Sequence, residues 1–520
     1  MRFYYLPIIS ILLICSACSN DAIPSEPSEP MEIVLESFVL KAEDNPALSE
    51  DFTFPVGDGR SVSAFCPGLD DITALIPSFT GTFSKAYVGG QLQVSGETPV
   101  DFTNAVYYEF ENDGAERVTY KISLISGNGL PILEIDTADE PILNKEDYVT
   151  AQFVLKNMAE AGEFHTPGKI RLRGNATSGY PKKPYKVKFD TKVSPFGFPE
   201  NKDWALLAEY SDKSLLRNSW MVEISKAAGL EYTIHYHPLE VWLNGHYIGV
   251  YTLTDHVEKK KNRVQLDDDG FFIQNDNAYQ DEPLSFLTTL HKYRWTFKYP
   301  DPDDGEIADG DENFNFIVKY LNDFETALNS DDFKNPDTGY RAYIEPVSFA
   351  RWYIAAEASH NYEPNIYYVL KNRNDKLRMF PIWDGEWSMG LAYRPEAVGS
   401  WVRYPDGEPK PDDIFWSRGK YFKRLFEDPY FTSIVKEEWK KFKPQAEDIK
   451  ARMRNAVERL KYAQADNFER WPILNSQTHI GIGLIAFDTW EEEVEYTFEV
   501  FDTRIATMDE FISNLPDTGK

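Results

Sequence analysis

Only three cysteines stand in 520 residues. That is too few for a disulfide framework in a chain of this length. Basic residues are scarce as well: 54 Lys and Arg face 84 Asp and Glu, a formal net charge of −30. With a pI near 4.7, the chain lacks the cationic surface that displaces counterions from nucleic acid, so nucleic acid is not an expected partner. Beyond the N-terminus, no run is long and apolar enough to span a bilayer. Aromatic and apolar residues, by contrast, are plentiful, at 15% and 42%. They suffice for a buried core rather than a disordered chain. At ~100–200 residues per domain, the length accommodates roughly two to four domains.

The N-terminal exception is short. Arg2 supplies one positive charge, and Leu6 to Cys18 is almost wholly apolar. As a helix this run rises only ~20 Å against a ~30 Å hydrocarbon core. Residues 1–18 therefore have the shape of a signal peptide. They end Cys15-Ser16-Ala17-Cys18, ahead of polar Ser19-Asn20-Asp21. The pattern is similar to a bacterial lipobox, with Cys15 in place of the usual apolar residue and Cys18 as the lipidated first residue of the mature protein. It implies a cell-envelope protein tethered through lipid to the outer membrane or cell surface. Cys66 then stands alone and reads as a small buried hydrophobe. Residues 19–30, which include DAIPSEPSEP, read as an extended, solvated stalk.

Two bodies follow. Residues 31–128 carry short alternating runs at 33–35, 61–65, 83–88, 92–94, 105–110 and 118–124, separated by Gly- and Asn-rich turns. This spacing predicts an Ig-like antiparallel β-sandwich acting as a spacer or binding module. Residues 129–520 alternate strand and helix signals, as an α+β domain does. Strands are expected at 131–135, 148–156, 169–172 and 185–189. Leu216, Trp220, Ile224 and Ala227 recur at helical period before Gly229, predicting a helix over 215–228. Asn244-Gly245 favours a type I′ turn and predicts a hairpin of 239–243 with 246–253. The C-terminal end is helical, with Trp490, Val494, Phe498, Phe501, Ile505, Met508 and Ile512 on one core-facing stripe.

Two features are set aside as ordinary. Asp301–Glu312 lacks the acidic first and third positions of an EF-hand and reads as a solvated loop. His235 and His237 share a strand face but have no third ligand near them in sequence.

Two constellations carry chemistry. The first is Arg171–Asp190, RLRGNATSGYPKKPYKVKFD. In the strand that closes it, Tyr185, Val187 and Phe189 point one way and Lys186 and Lys188 the other. Such a local inversion of charge beside a Gly-containing loop suits a nucleotide phosphate tail. Pairing of the lysines with carboxylates across the sheet accounts for it equally well. The second is Asn361–Gly390. Strands over 365–370 and 377–382, joined by turn residues 372–376, return the chain to its start. The hairpin thus carries Glu363 and Asp384 to one end of a sheet, with Glu386 two residues on. Clustered carboxylates suit Mg²⁺, which keeps water and substrate phosphate in its shell. Capping of loops and pairing with arginines is the structural alternative. A catalytic loop, a short hairpin and then an Asp beside Gly is also the plan of protein kinases.

Taken in order, RGNxxxxxPKKPYKVK, SDKSLLRN, LEVWLNGHYIGVYTLTD and FPIWDGEWSMG resemble the CotH family, spore-coat-type atypical protein kinases, over roughly residues 130–400. The resemblance implies a divergent protein-kinase-like domain with a helical C-terminal part. It implies ATP with Mg²⁺ or Mn²⁺ and a protein partner phosphorylated on Ser or Thr. It makes Asp384 the metal ligand, joined by Glu386, and Glu363 the candidate base or second metal contact. Lys188 becomes the phosphate-contacting lysine, Arg173 and Arg217 further phosphate contacts, and Glu223 the partner that orients Lys188.

The departures from the family pattern are Ser178 for Trp, Asp255 for Glu, and Glu363 and Glu386 for Asp. A Glu carboxylate sits over ~1 Å farther out than that of Asp, a displacement to which catalytic geometry is sensitive. An envelope lipoprotein also has no obvious supply of ATP. Two alternatives follow: a non-catalytic surface lipoprotein serving as a scaffold or glycan- or protein-binding module, and a hydrolase using Glu363 and Asp384 as a carboxylate pair. The hydrolase would need a separation of ~5–9.5 Å between the two groups, and it leaves the cationic loop unexplained.

Overall fold

The computed structural model describes residues 32–516 apart from 58, 67, 68, 70, 113–116, 126, 157–163, 276–281, 362–364, 392–411, 420 and 477–486. The expected signal peptide, Cys18 and the stalk lie outside the described residues, as does Glu363. The chain is mixed α+β and groups into two compact units. One takes the segments up to Val62, Ile76–Pro99 and Tyr107–Lys121; the other takes Ser63–Leu75, Val100–Val106 and Ile122–Lys520.

The N-terminal sheets are antiparallel. β1 (Leu35–Leu40) lies between β2 (Phe52–Thr53) and β4 (Pro77–Gly81); β3 (Ser61–Phe65), β8 (Val118–Ile125), β7 (Val106–Glu111), β5 (Lys85–Val88) and β6 (Gln91–Gln93) form the second sheet, in that order. Aromatic side chains join the two: Phe38 of β1 meets Tyr108 of β7 edge-on at 5.3 Å, and Phe79 of β4 meets Phe110 at 5.9 Å. Cys66 is buried, as its isolation in the sequence suggested.

The second unit is built around a closed seven-stranded barrel. β9 (Ile132–Asp136), β10 (Val149–Lys156), β11 (Phe164–Leu172), β12 (Tyr185–Val193), β13 (Asn201–Leu207), β14 (Tyr236–Leu243) and β15 (His246–Asp255) run in the order β10-β11-β12-β13-β15-β14-β9. Every pairing is antiparallel except β14 with β9, where Glu240 pairs with Ile132, and that parallel seam closes the barrel. Alternate residues fill its interior, among them Phe153, Ile170, Val187, Phe189, Leu239 and Leu253. The Asn244-Gly245 turn joins β14 to β15, with both residues at positive φ, 50° and 77°, as a type I′ turn requires.

A five-stranded antiparallel sheet and the helices complete this unit. Its strands are β16 (Phe271–Asn275), β17 (Ser285–Leu287), β18 (Arg294–Tyr299), β19 (Asn365–Leu370) and β20 (Arg378–Trp383), ordered β17-β18-β16-β19-β20. The helices are α1 (Arg217–Ala227), α2 (Glu312–Asn329), α3 (Pro346–Ala358), α4 (Phe422–Leu425), α5 (Pro429–Phe442), α6 (Ala446–Leu460), α7 (Ala463–Arg470) and α8 (Trp490–Ser513). Helix α8 begins with a capping box of Thr489 and Glu492. Its expected stripe is buried except for the partly covered Ile505. Trp220 of α1 packs against Phe498 and Phe501 and donates its indole N–H to Thr497 at 2.9 Å. Among the described residues, no helix is long and apolar enough to cross a membrane.

The features set aside in the sequence have structural employment. Asp311 of the acidic loop caps α2 by accepting from the Phe314 N–H at 2.8 Å. His235 Nδ1 lies 2.7 Å from Asp255, and the His237 ring stacks on Phe196 at 4.0 Å.

Candidate functional site

The β19–β20 hairpin pairs Asn365 with Trp383, so the chain leaves the sheet at Asp384 beside the point where β19 enters it. Asp384 stands at φ 73°, in the left-handed region. Such a conformation is uncommon for a residue with a side chain and is held by its surroundings. Here Asn361 donates its amide to the Asp384 carbonyl at 3.0 Å, and the next N–H, of Gly385, donates to Asn218 Oδ1 at 3.0 Å. A Cβ on Gly385 would lie 2.8 Å from the Met221 sulfur and 3.1 Å from Asn218 Oδ1. The glycine after the aspartate is thus required by the close approach of α1.

Helix α1 is itself positioned by the preceding loop. The Asp212 carboxylate accepts from the N–H of Ser214 at 2.9 Å, the Ser214 hydroxyl at 2.6 Å and the N–H of Arg217 at 2.7 Å. That knot is the physical content of SDKSLLRN. Ser211, just before it, donates through its N–H at 2.9 Å and its hydroxyl at 2.6 Å to one oxygen of Glu386. Burial raises the pKa of Glu386, and the charge of Asp212 adds to the rise; Ser211 and Lys182 oppose it. Nearby Glu209, at φ 49°, is buried and pushed up to about 8 by burial and by Asp212 and Glu386.

Asp384 and Glu386 line a cleft of ≈ 390 Å³. Arg173 and the Gly174–Thr177 loop form part of its wall, and His256, Lys298, Tyr367 and Trp383 contribute to the rest. The Arg173 guanidinium lies 5.3 Å from the Trp383 ring centre. Its pKa is lowered by burial, against the opposing charges of Asp384 and Glu386. Lys298 pairs with Glu282 at 3.1 Å. His256 is held well below its usual pKa by burial and by the surrounding Lys186, Arg173, Arg263 and Lys298. Carboxylates and cations therefore face one another across a single space.

The structure sorts the sequence candidates. Arg173, Asp384 and Glu386 come together in the cleft. Arg217 does not: it is 0% exposed, bonded through Nη1 to Asp212 at 2.5 Å and 3.6 Å from Glu493. Its expected phosphate contact is corrected to a role inside the core. The expected Glu223–Lys188 pair is absent as well. Glu223 bonds Lys226 at 2.9 Å and Arg452 at 2.6 Å. Lys188 is 44% exposed on the outer face of β12, 3.8 Å from Asp203, and is not among the residues lining the cleft. Lys188 keeps the outward strand phase expected of it, but a partner across the fold cannot be read from phase. Asp255, one of the family departures, is buried on Tyr232, His235 and Arg263. Lys298 escaped notice because it lies in a strand, β18, with no motif around it, and His256 because it falls one residue beyond the LEVWLNGHYIGVYTLTD motif; only the fold carries them to the cleft.

The donor set bears on a metal. Among the described residues no group of three or more His, Cys, Asp or Glu could hold one alone. Asp384 and Glu386 fit a hard cation that takes one or two carboxylates and completes its shell with water and phosphate, as Mg²⁺ does.

No curated protein matches the chain. One solved structure, described as a "putative glycoside hydrolase" from Bacteroides thetaiotaomicron VPI-5482, shares 15% identity, covers 56% of this chain and 78% of its own, and has a TM-score of 0.15, too low to support an argument. The family profile described as CotH kinase protein matches residues 170–508, the greater part of the chain and the whole of the cleft's described lining. The chain belongs to the CotH family.

Proposed function

We propose that the chain is a protein kinase of CotH type, using ATP with Mg²⁺ or Mn²⁺ to phosphorylate Ser or Thr of a protein partner, and anchored to the cell envelope by lipid on Cys18. The observation that carries the reading is the meeting of Asp384 and Glu386 with Arg173 and Lys298 in one cleft. Phosphoryl transfer is mainly positioning and charge stabilisation. Arg173 and Lys298 supply cationic contacts to phosphate oxygens. Asp384 and Glu386 would hold the metal, which when bound neutralises phosphate charge. Tyr367 and Trp383 offer aromatic surface to a base. Glu363, two residues before β19, is the candidate to accept the acceptor hydroxyl's proton as the oxygen bonds to the γ-phosphorus and ADP leaves.

The test is calorimetric titration of ATP, with Mg²⁺ or Mn²⁺, into the wild type and Asp384→Asn. The substitution keeps shape and removes charge. Metal-dependent affinity is expected to fall about tenfold or more, with the circular dichroism spectrum unchanged. A wild type that binds no nucleotide with either metal sinks the proposal. A second reading, a nucleotide-binding scaffold without transfer, is favoured by the commitment of one Glu386 oxygen to Ser211. It predicts ATP binding with no labelled phosphate on any acceptor.

A further inference from the structure

The outer face of the barrel beside the cleft breaks a rule of sheet construction. Across β11 and β12, Lys169 pairs directly with Lys188, and Arg171 with Lys186. Between them Ile170 and Val187 point into the barrel core, so the four cations share the outer face. Like charges directly opposite each other destabilise a sheet. Two such steps in succession are unexpected in a chain of net charge −30.

The nearby carboxylates are shared with other cations. Asp203 is held by Lys260 at 3.0 Å, with Lys188 farther off at 3.8 Å. Glu258 is held by Lys260 at 3.0 Å and by Arg263. Lys169 and Arg171 share the Tyr148 ring, 4.7 and 4.8 Å from its centre; Arg171 Nη1 donates to the Lys145 carbonyl, while its buried Nε has no hydrogen-bond partner among the described residues. Burial pushes the Lys186 pKa down to about 8, with Arg171 and Lys188 adding to the fall against Asp203 and Glu258. The ladder continues to the cleft, because the Arg173 N–H donates to the Pro184 carbonyl at 3.1 Å and the Arg173 side chain lines the cleft wall.

We propose that this ladder binds an acidic peptide, the extended segment of a protein partner that leads to its acceptor residue. Successive rungs lie two residues apart, ~6.6–6.8 Å, which is also the spacing of alternate side chains in an extended peptide. A segment with Asp or Glu at every second position therefore meets a cation at each rung, and its next residues enter the cleft past Arg173. The peptide's role as acceptor rests on the kinase reading; its binding to the ladder does not.

The experiment uses the full chain without nucleotide. Fluorescence anisotropy compares a labelled peptide carrying Asp at alternate positions and one Ser, the same peptide with Asn for Asp, and a version with Lys for Asp. The Asp peptide is expected to bind about tenfold or more tightly than the Asn peptide, with affinity falling as salt rises. The double variant Lys169→Glu with Lys188→Glu should lose the Asp peptide and gain the Lys peptide, an inversion that a misfolded protein would not show. Lys169→Gln with Lys188→Gln, a milder change, should bind neither. Equal binding of Asp and Asn peptides, or retention of the Asp peptide by the reversed variant, overturns the proposal. So does stronger binding of phosphatidylserine vesicles or single-stranded RNA that is lost in the same variants. ATP titration in parallel separates the two readings: peptide selectivity without nucleotide binding removes the kinase and keeps the ladder, and the converse removes the ladder alone.

Discussion

Arg217 shows how one residue can belong to a motif and yet not face the ligand. Its side chain is enclosed with Asp212, Lys213 and Glu493, four charged groups that are each at most 1% exposed. Lys213 and Arg217 each come within 4 Å of Glu493, at 3.5 and 3.6 Å, and burial raises the Glu493 pKa against their pull. Removing one member of such a set leaves a partner charge uncompensated in the core, which costs about 3–5 kcal/mol. Arg217→Met is therefore expected to lower the unfolding free energy by that order. ATP affinity per folded molecule should change far less than in Asp384→Asn. Urea unfolding and calorimetry on the same samples check this; a stable Arg217→Met protein with abolished nucleotide binding would restore the phosphate contact that the sequence suggested. The motif SDKSLLRN was legible as a unit, but its purpose was not, because the second acidic partner that encloses Arg217 in the core lies 276 residues away at Glu493 (493 − 217).

Between elements, Lys182 joins the barrel to α7. It is 1% exposed, and its ammonium donates to the Val250 carbonyl at 2.5 Å and to Asn467 Oδ1 at 2.9 Å. Burial lowers its pKa to about 7, against the pull of Glu209 and Glu386. An unfolded lysine titrates near ~10.4. Between these values the unfolded chain binds a proton that the folded chain does not, so this residue makes stability rise with pH from about 7 upward. Below 7 both states are charged and the full cost of burial is felt. Glu209, pushed up to about 8, works in the opposite sense over the same range, so the expected signature is a difference: from pH 7 to 9 denaturant midpoints rise more, or fall less, in the wild type than in Lys182→Met, and equal slopes would show that Lys182 is charged throughout. Elements with a clean local pattern were readable in the sequence, such as the Asn244-Gly245 hairpin and the α8 stripe. Strand β13 was not, because its burial runs almost unbroken from Asp203 to Leu206 and leaves no alternation to detect. Barrel closure was not either, since the parallel β14–β9 seam pairs residues more than a hundred positions apart. Nor were strands β16 and β18, which bring Gln274 and Lys298 to the cleft, read from the sequence, because no chemical motif falls on them.

For the whole molecule, every described residue of the cleft follows the start of β9 at Ile132. Residues 129–520 alone are therefore expected to melt cooperatively and to bind nucleotide as the full chain does. Segments Ser63–Leu75 and Val100–Val106 group with this unit, so a fragment that is insoluble while the full chain is not would show them to be part of its folding core. Cys18→Ala is expected to move the protein from the membrane to the soluble fraction; persistence on membranes after a high-salt wash would remove the lipid anchor from the proposal. The closed barrel also limits how partners can be captured. A sheet with an open side can take a peptide as an extra strand, reading mainly its backbone and accepting many sequences. Seven strands joined in a ring have no such vacancy. A peptide laid along β11 and β12 must be read through side chains, so slipping it by one residue would turn its acidic groups away from every rung at once.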